Sequence, residues 1–417
     1  MSSACPRPPA LRRAALLALA ATALVPSAAV ARGAALDQAP APAQRGALVS
    51  AQQLKTLPTA HAVRTSLRAA GFSDPGTLRH GVRTYRLRYR TVDAQQRPTI
   101  ASGLLVLPLH GARRLTAVSS THGTTTERSA APSVSTDDYD TAPAVTFGAG
   151  GFAAVAPDYL GLGVEPGLHP WMDLASETSA SLDMLRAART YVTRTGRTLE
   201  RRVLVTGFSE GASAALGLAK ALQDGADPHF ALGATAPISG AYAMRDAEIP
   251  ALLNGRLDPK LSVIYAALLY VAYDRLHDLY QSPDEVFHRP YAARVTALFN
   301  GVTPAATLFR TLPDRLDDLL TAEGRARLQH PTGSLAEALS VADAACSWKP
   351  AGPLRLYFAH GDEQAATANT AHCAADFTAA GRSVDRVVLA PHDFHGSRHV
   401  GSNVEGTAAV ARWFAKQ

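Results

Sequence analysis

Six short apolar runs punctuate the second and later parts of this 417-residue chain, and each closes on small or polar residues. They are LTAVSSTHG (115–123), GFAAVAPDYLG (151–161), RVLVTGFS (202–209), FALGATAPISG (230–240), LRLYFAHGD (354–362) and VDRVVLAPHDFHG (384–396). Runs this short without strict alternation suit strands covered on both faces, as in a parallel sheet. Helical patterns lie between them. In LASETSASLDMLRAARTYVTRTG (174–196), Leu182, Leu185, Ala188 and Val192 share one face; EGASAALGLAKALQDG (210–225), ATANTAHCAADFTAAG (366–381) and EGTAAVARWFAKQ (405–417) read the same way. Strand and helix in alternation give an α/β fold with a mostly parallel central sheet and helices on both faces. Ligands of such sheets bind beyond the C-terminal strand ends, where the polar residues of these runs collect.

Two flanking regions differ. VRTYRLRYRTVD (82–93) and TIASGLLVLP (99–108) alternate as half-buried strands and are expected to pair antiparallel across a polar turn. From 243 to 350 strand signals are sparse; LSVIYAALLYVAYDRLHDLY (261–280), YAARVTALFNGV (291–302) and PDRLDDLLTAEGRARL (313–328) read as helices. The expected plan is a core built from 53–242 and 351–417, with 243–350 inserted as a helical cap. Residues 32–52, rich in Ala, Pro and Gln, read as a flexible leader. Ahead of them, Arg7, Arg12 and Arg13 precede an apolar run and the small-residue site Ala29-Val30-Ala31. That is the pattern of a signal peptide over 1–31, cleaved near Ala31, and it implies a secreted or periplasmic protein.

Loss of those three arginines takes the net charge from +6 to +3. No basic run carries interleaved aromatics, which excludes a nucleic-acid-binding reading. With 47% hydrophobic and 18% charged residues the chain has a globular composition. Cys5 leaves with the signal, so the mature chain keeps Cys346 and Cys373, a disulfide pair in an oxidising compartment. The alternative is a pair of buried thiols. A metal site through His372 and Cys373 lacks a second ligand pair at zinc spacing.

GFSEG (207–211) has the form Gly-x-Ser-x-Gly, which roughly one chain in ten of this length would show by chance. Its flanks raise its value. RVLVT supplies a strand before it and ASAALGLAKAL a helix after it, the strand–turn–helix of a nucleophile elbow. Ser209 is the expected nucleophile, and the alternative is a plain helix cap. A serine needs a base and the base an orienting acid, and chains with a Gly-x-Ser-x-Gly elbow of this kind carry them in the order Ser, acid, His. Asp362, with Glu363 beside it, closes a strand. His395 is the expected base, ahead of the last helix, with His392 and then His399 as alternatives. The oxyanion donors are expected to be the backbone N–H groups of Glu210 and Thr124, with Gly123 able to replace the latter. His122 and Asp158-Tyr159 read as organisers of loops, and Trp171 as packing. GAGG and GLGVEPG lack the acid-tipped second strand of a dinucleotide fingerprint.

The chain resembles the α/β-hydrolase superfamily over most of its mature length, and within it the secreted lipase A-type lipase/esterase family. The residues that carry the resemblance are THGTT, GGFAAVAPDYLGLG (150–163), HPW (169–171), SLDMLRAAR (181–189), GFSEGA and HGDEQAATANT. It implies ester hydrolysis under a helical cap, no cofactor, a small-molecule or lipid ester as substrate, and transient contact with a lipid interface. Two departures stand out. Asp362 follows Gly361 directly where the family has two residues between, and Ala365-Ala366 replaces a common Val-Pro; Asn369 keeps its spacing from Asp362. Other chemistries of the same fold are a peptidase or acyltransferase, and a different class is a non-catalytic binding protein. The apolar stretch 261–273 has two readings, a hydrophobic cap that receives medium or long acyl chains or a helix buried for its own packing.

Overall fold

The fold begins with a strand whose sequence hides it. The structure is a computed structural model and describes residues 45–417. The expected signal peptide and most of the expected leader lie outside the described residues. β1 (Leu48–Leu57) pairs antiparallel with β2 (Val82–Val92) across α1 (Ala60–Ala69). The leader boundary at residue 52 is thereby corrected, because Leu48 to Gln52 already belong to the sheet. β1 is an edge strand exposed on both faces, so backbone pairing rather than apolar alternation holds it.

β3 (Pro98–Pro108) pairs antiparallel with β2 through eleven matched positions, as the alternation predicts. There follow β4 (Arg114–Thr121), α2 (Asp138–Ala149), β5 (Ala153–Pro157), α3 (Leu174–Arg194), β6 (Thr198–Phe208), α4 (Glu210–Gln223) and β7 (Ala231–Ile238). Between β7 and the next strand every regular element is helical: α5 (Ile249–Leu253), α6 (Pro259–His277), α7 (Val295–Leu298), α8 (Ala305–Thr311), α9 (Leu316–Leu319), α10 (Ala322–Gln329) and α11 (Gly333–Ala342). The chain returns to the sheet with β8 (Arg355–Phe358), α12 (Ala368–Ala379), β9 (Asp385–Val388) and α13 (Arg398–Phe414). The strand order is β1-β2-β3-β5-β4-β6-β7-β8-β9, and every pairing from β5 to β9 is parallel.

The two-residue period of the strands sorts the core into two layers. Leu104, Val106 and Leu204 face one side, where α1, α2 and α13 cover them through Leu67, Phe147, Val404 and Phe414. Leu105, Val203 and Val205 face the other, under α3 and α4 through Leu185 and Leu218. Each fully buried side chain of this size stabilises by roughly 1.5–3 kcal/mol. Both faces are covered by helices, which is why β4, β5 and β6 read as continuous apolar runs rather than as alternating ones.

α6 starts at Pro259, with the Asp258 carboxylate accepting from the Leu261 N–H at 2.8 Å. Val263, Ala266, Ala267 and Tyr270 are wholly enclosed by the other helices of the insertion. Most of the stretch 261–273 is therefore packing, while Tyr265 and Leu269 also line cavities, so both of its readings hold in part. No helix among the described residues is long and apolar enough to cross a membrane.

Cys346 and Cys373 form a disulfide with Cα atoms 5.2 Å apart, tying the end of the insertion to α12. The His372–Cys373 metal reading loses its thiolate. A bond closing a loop of 27 residues of separation is worth about 3–4 kcal/mol in the loop-entropy model. A Cys346→Ser/Cys373→Ser variant should unfold at lower denaturant concentration by that free energy. The wild type in strong reductant should match it, as read by urea titration.

Candidate active site

The turn between β6 and α4 places Ser209 at φ 57° and ψ −124°. A residue with a Cβ pays strain there, of order 1–3 kcal/mol. The neighbours make the turn fit: a methyl on Gly207 would overlap the Gly211 carbonyl, and one on Gly211 would overlap the carbonyl of Thr121. Both positions are therefore closed to any larger residue. The Thr121 hydroxyl donates to Gly211 O at 2.6 Å, and the Ser209 N–H donates to Ile238 O at 2.9 Å. The serine stands at the N-terminus of α4, at the C-terminal edge of the sheet.

His399 Nε2 lies 2.9 Å from Ser209 Oγ, and His399 Nδ1 lies 2.8 Å from Asp362 Oδ2. A carboxylate accepts only, so Nδ1 carries the proton and Nε2 is free to accept from the serine. The other Asp362 oxygen accepts the N–H groups of Gln364 and Ala365, both at 2.9 Å. The imidazole packs on Phe208 with ring centroids 4.7 Å apart. Burial by itself would lower the His399 pKa, but Asp362, Glu363 and Glu248 outweigh it and raise the pKa above the ordinary 6.5.

The expected base His395 is corrected to His399. His395 is exposed in a turn at φ 50° and packs on Phe394. His392 faces Glu405, its Nδ1 3.1 Å from the carboxylate. The reason is where the last helix begins. The run EGTAAVARWFAKQ suggests a start at Glu405, whereas α13 starts at Arg398. Ser397 caps it by accepting the Val400 N–H at 3.1 Å, and Glu363 Oε2 accepts the N–H groups of Arg398 at 3.0 Å and His399 at 3.3 Å. His399 thus sits in the first turn of a helix, not in a loop. The signal was present in Ser397, a cap residue just before the helical Arg398 and Val400.

Asp362 and Ser209 stand where the sequence suggests, and Glu210 opens α4 directly after Ser209. Thr124 and Gly123 line the same cavity as Ser209 and His399, a space of about 250 Å³. The Thr124 hydroxyl accepts from Trp171 Nε1 at 2.9 Å, so Trp171 fixes this loop as well as packing. Tyr159 donates its hydroxyl to His122 O at 3.1 Å, and buried Asp158 accepts from Ser102 Oγ at 2.6 Å and Ser133 N at 2.8 Å. Both act as the loop organisers expected of them.

Three buried carboxyls had no sequence signal. Glu248 accepts from Ala366 N at 2.9 Å and Asn369 Nδ2 at 2.6 Å; burial pushes it up to about 7 despite these bonds. Glu210 Oε1 lies 2.7 Å from His169 Nε2. Burial would raise Glu210, but His169 offsets this and brings it below its ordinary value. Glu177 on α3 faces Glu210 in the same enclosed space. Burial first, and then the Glu210 charge, drive Glu177 well above the carboxylate range. Burial and the neighbouring charge thus favour the neutral form of Glu177, while His169 favours the charged form of Glu210.

A nucleophile elbow, an ordered Ser–His–Asp hydrogen-bonded chain and a mostly parallel sheet define the α/β-hydrolase fold, and this chain has it. Among solved structures, the chain is similar to a Legionella pneumophila protein assigned as a hydrolase, with 22% identity, 89% of this chain and 98% of that chain covered, and a TM-score of 0.78. It is similar to the rice cell wall degrading esterase LipA from Xanthomonas oryzae in a ligand-bound form, with 24% identity, 89% and 98% covered, and a TM-score of 0.76. Candida antarctica lipase A shares 15% identity over 82% of this chain and 76% of that chain, with a TM-score of 0.58. No protein-family model and no curated protein sequence matches the chain.

The Glu177–Glu210 pair has a measurable consequence. The folded pKa of Glu177 lies above its unfolded value near 4.5. The folded state therefore binds that proton more tightly, and its stability declines as pH rises from about 5 through the raised value. Glu177→Gln keeps the shape and removes the ionisation. Its melting temperature should fall less steeply than that of the wild type across that range, as read by calorimetry at successive pH values.

Proposed function

We propose that the protein is an exported serine ester hydrolase that works through an acyl-enzyme. The observation that carries this reading is the unbroken hydrogen-bonded chain from Ser209 through His399 to Asp362, opening on a cavity. Structural neighbours named as an esterase and a lipase support it, and the disulfide suits an oxidising compartment.

In the proposed cycle Ser209 Oγ attacks the ester carbonyl carbon while His399 Nε2 takes its proton. The backbone N–H groups of Glu210 and Thr124 hold the oxyanion that forms. The C–O bond to the alcohol breaks, and His399 returns the proton to the leaving oxygen. Water then repeats the sequence on the acyl-serine, with His399 again as base, and releases the acid. Asp362 keeps the Nδ1 proton in place and stabilises the imidazolium.

Ser209→Ala and His399→Ala should each lower p-nitrophenyl ester turnover by about a thousandfold or more, while His395→Ala stays within about threefold of wild type. Fluorophosphonate labelling should vanish in Ser209→Ala, slow sharply in His399→Ala and match the wild type in His395→Ala. Full loss in His395→Ala with activity kept in His399→Ala would reverse the assignment, and turnover of peptide amides in place of esters would move the protein to another hydrolase class.

The reactive form needs a neutral His399. Because its pKa is raised, kcat/KM should fall as pH drops through a midpoint above about 6.5. Glu363→Gln removes one of the charges that raise it, so the acid limb of the kcat/KM profile should move to lower pH.

A further inference from the structure

Two cavities meet at Ser209, and they differ in size and lining. The larger, about 250 Å³, has Ser209 and His399 in its wall together with the polar side chains of Thr125, Tyr139, Asp140 and Asn403. The smaller, about 30 Å³, runs from Ser209, Glu210 and Thr124 to Trp171, Met172, Met244, Ile249, Leu252 and Leu269. His399 lines the first and not the second.

We infer that the substrate is an ester of a short acid with a bulky alcohol, the acyl group lying in the small cavity and the alcohol in the large one. This rests on the ester-hydrolase reading above. The assignment of sides follows from the proton. The leaving oxygen must take its proton from His399 Nε2, so the alcohol lies on the histidine side of Ser209. The carbonyl oxygen turns to the N–H groups of Glu210 and Thr124. The acyl substituent is left with the remaining direction, the small cavity walled by those same two residues.

Size sets the length. The small cavity offers about an eighth of the free space of the large one, about 30 against about 250 Å³, so it takes the shorter part of the ester. Its far wall resists enlargement. Met244, Ile249, Leu252 and Leu269 belong to the buried apolar cluster of the insertion, all with under a tenth of their surface exposed. Glu248 closes another side, tied to Ala366 and Asn369. A longer chain must displace packed side chains or pass a polar carboxyl, and each costs free energy in the transition state.

The test is a p-nitrophenyl ester series on the full-length wild-type protein. kcat/KM should be highest at acetate to butyrate and at least about tenfold lower at octanoate, a difference of about 1.4 kcal/mol in transition-state stabilisation. An optimum at eight carbons or beyond would overturn the inference and leave ester hydrolysis standing. The isomers benzyl acetate and methyl phenylacetate exchange the bulky side. Benzyl acetate should be favoured by about tenfold or more, and an equal or reversed preference would overturn the assignment of sides. Leu252→Ala should raise the octanoate-to-acetate ratio by about tenfold through the space it opens; the wild-type series decides alone if that variant does not fold. No turnover of any ester, with no fluorophosphonate labelling, would instead sink the underlying hydrolase reading.

Discussion

The left-handed backbone of Ser209 is the constraint around which the site is built. The turn lifts the hydroxyl clear of the sheet and leaves the backbone N–H groups of α4 beside it. It holds only because β6, α4 and β4 approach so closely that Gly207 and Gly211 have no room for side chains. That approach depends on the two-layer core. β6 is clamped between apolar faces, and α4 buries nearly its whole length from Glu210 to Leu222. Strain of a few kcal/mol at one residue is sustained by burial spread over the sheet.

The acid loop divides two tasks between adjacent carboxylates. Asp362 holds the imidazole, and Glu363 holds the helix from which the imidazole projects. Glu363 accepts the exposed N–H groups at the start of α13, a favourable place for a negative charge beside unsatisfied donors and the positive helix end. The insertion is joined to the same loop. Tyr265 donates to Gln364 at 2.8 Å, Asn369 accepts from Ala243 at 2.9 Å, and Glu248 accepts from Ala366. His399, Asp362 and the insertion thus share one hydrogen-bonded seam, so a change in the insertion reaches the histidine through a short path.

Much of this was legible along the chain. The βα alternation, the antiparallel pair β2–β3, the disulfide partners, Ser209 and Asp362 all follow from local pattern and chain order. What failed to show has definite causes. β1 lacks apolar alternation because it is an exposed edge. α2 is covered on most sides and carries Pro143, so neither period nor composition marks it. The histidine was misplaced because the first seven residues of α13, Arg398 to Val404, are mostly polar with a glycine among them and read as loop until the caps from Ser397 and Glu363 are seen.

The sequence by itself determined the architecture and the elbow that carries Ser209, because sheet faces, elbow glycines and helix periods are local demands on residue type. Tertiary structure alone decided which histidine meets Ser209, that Glu177 is buried beside Glu210, and that most of the apolar stretch of α6 fills the insertion. Those outcomes depend on distances between segments far apart in the chain. Hydrogen bonds and desolvation act over a few ångströms in space, and no spacing along the sequence encodes them.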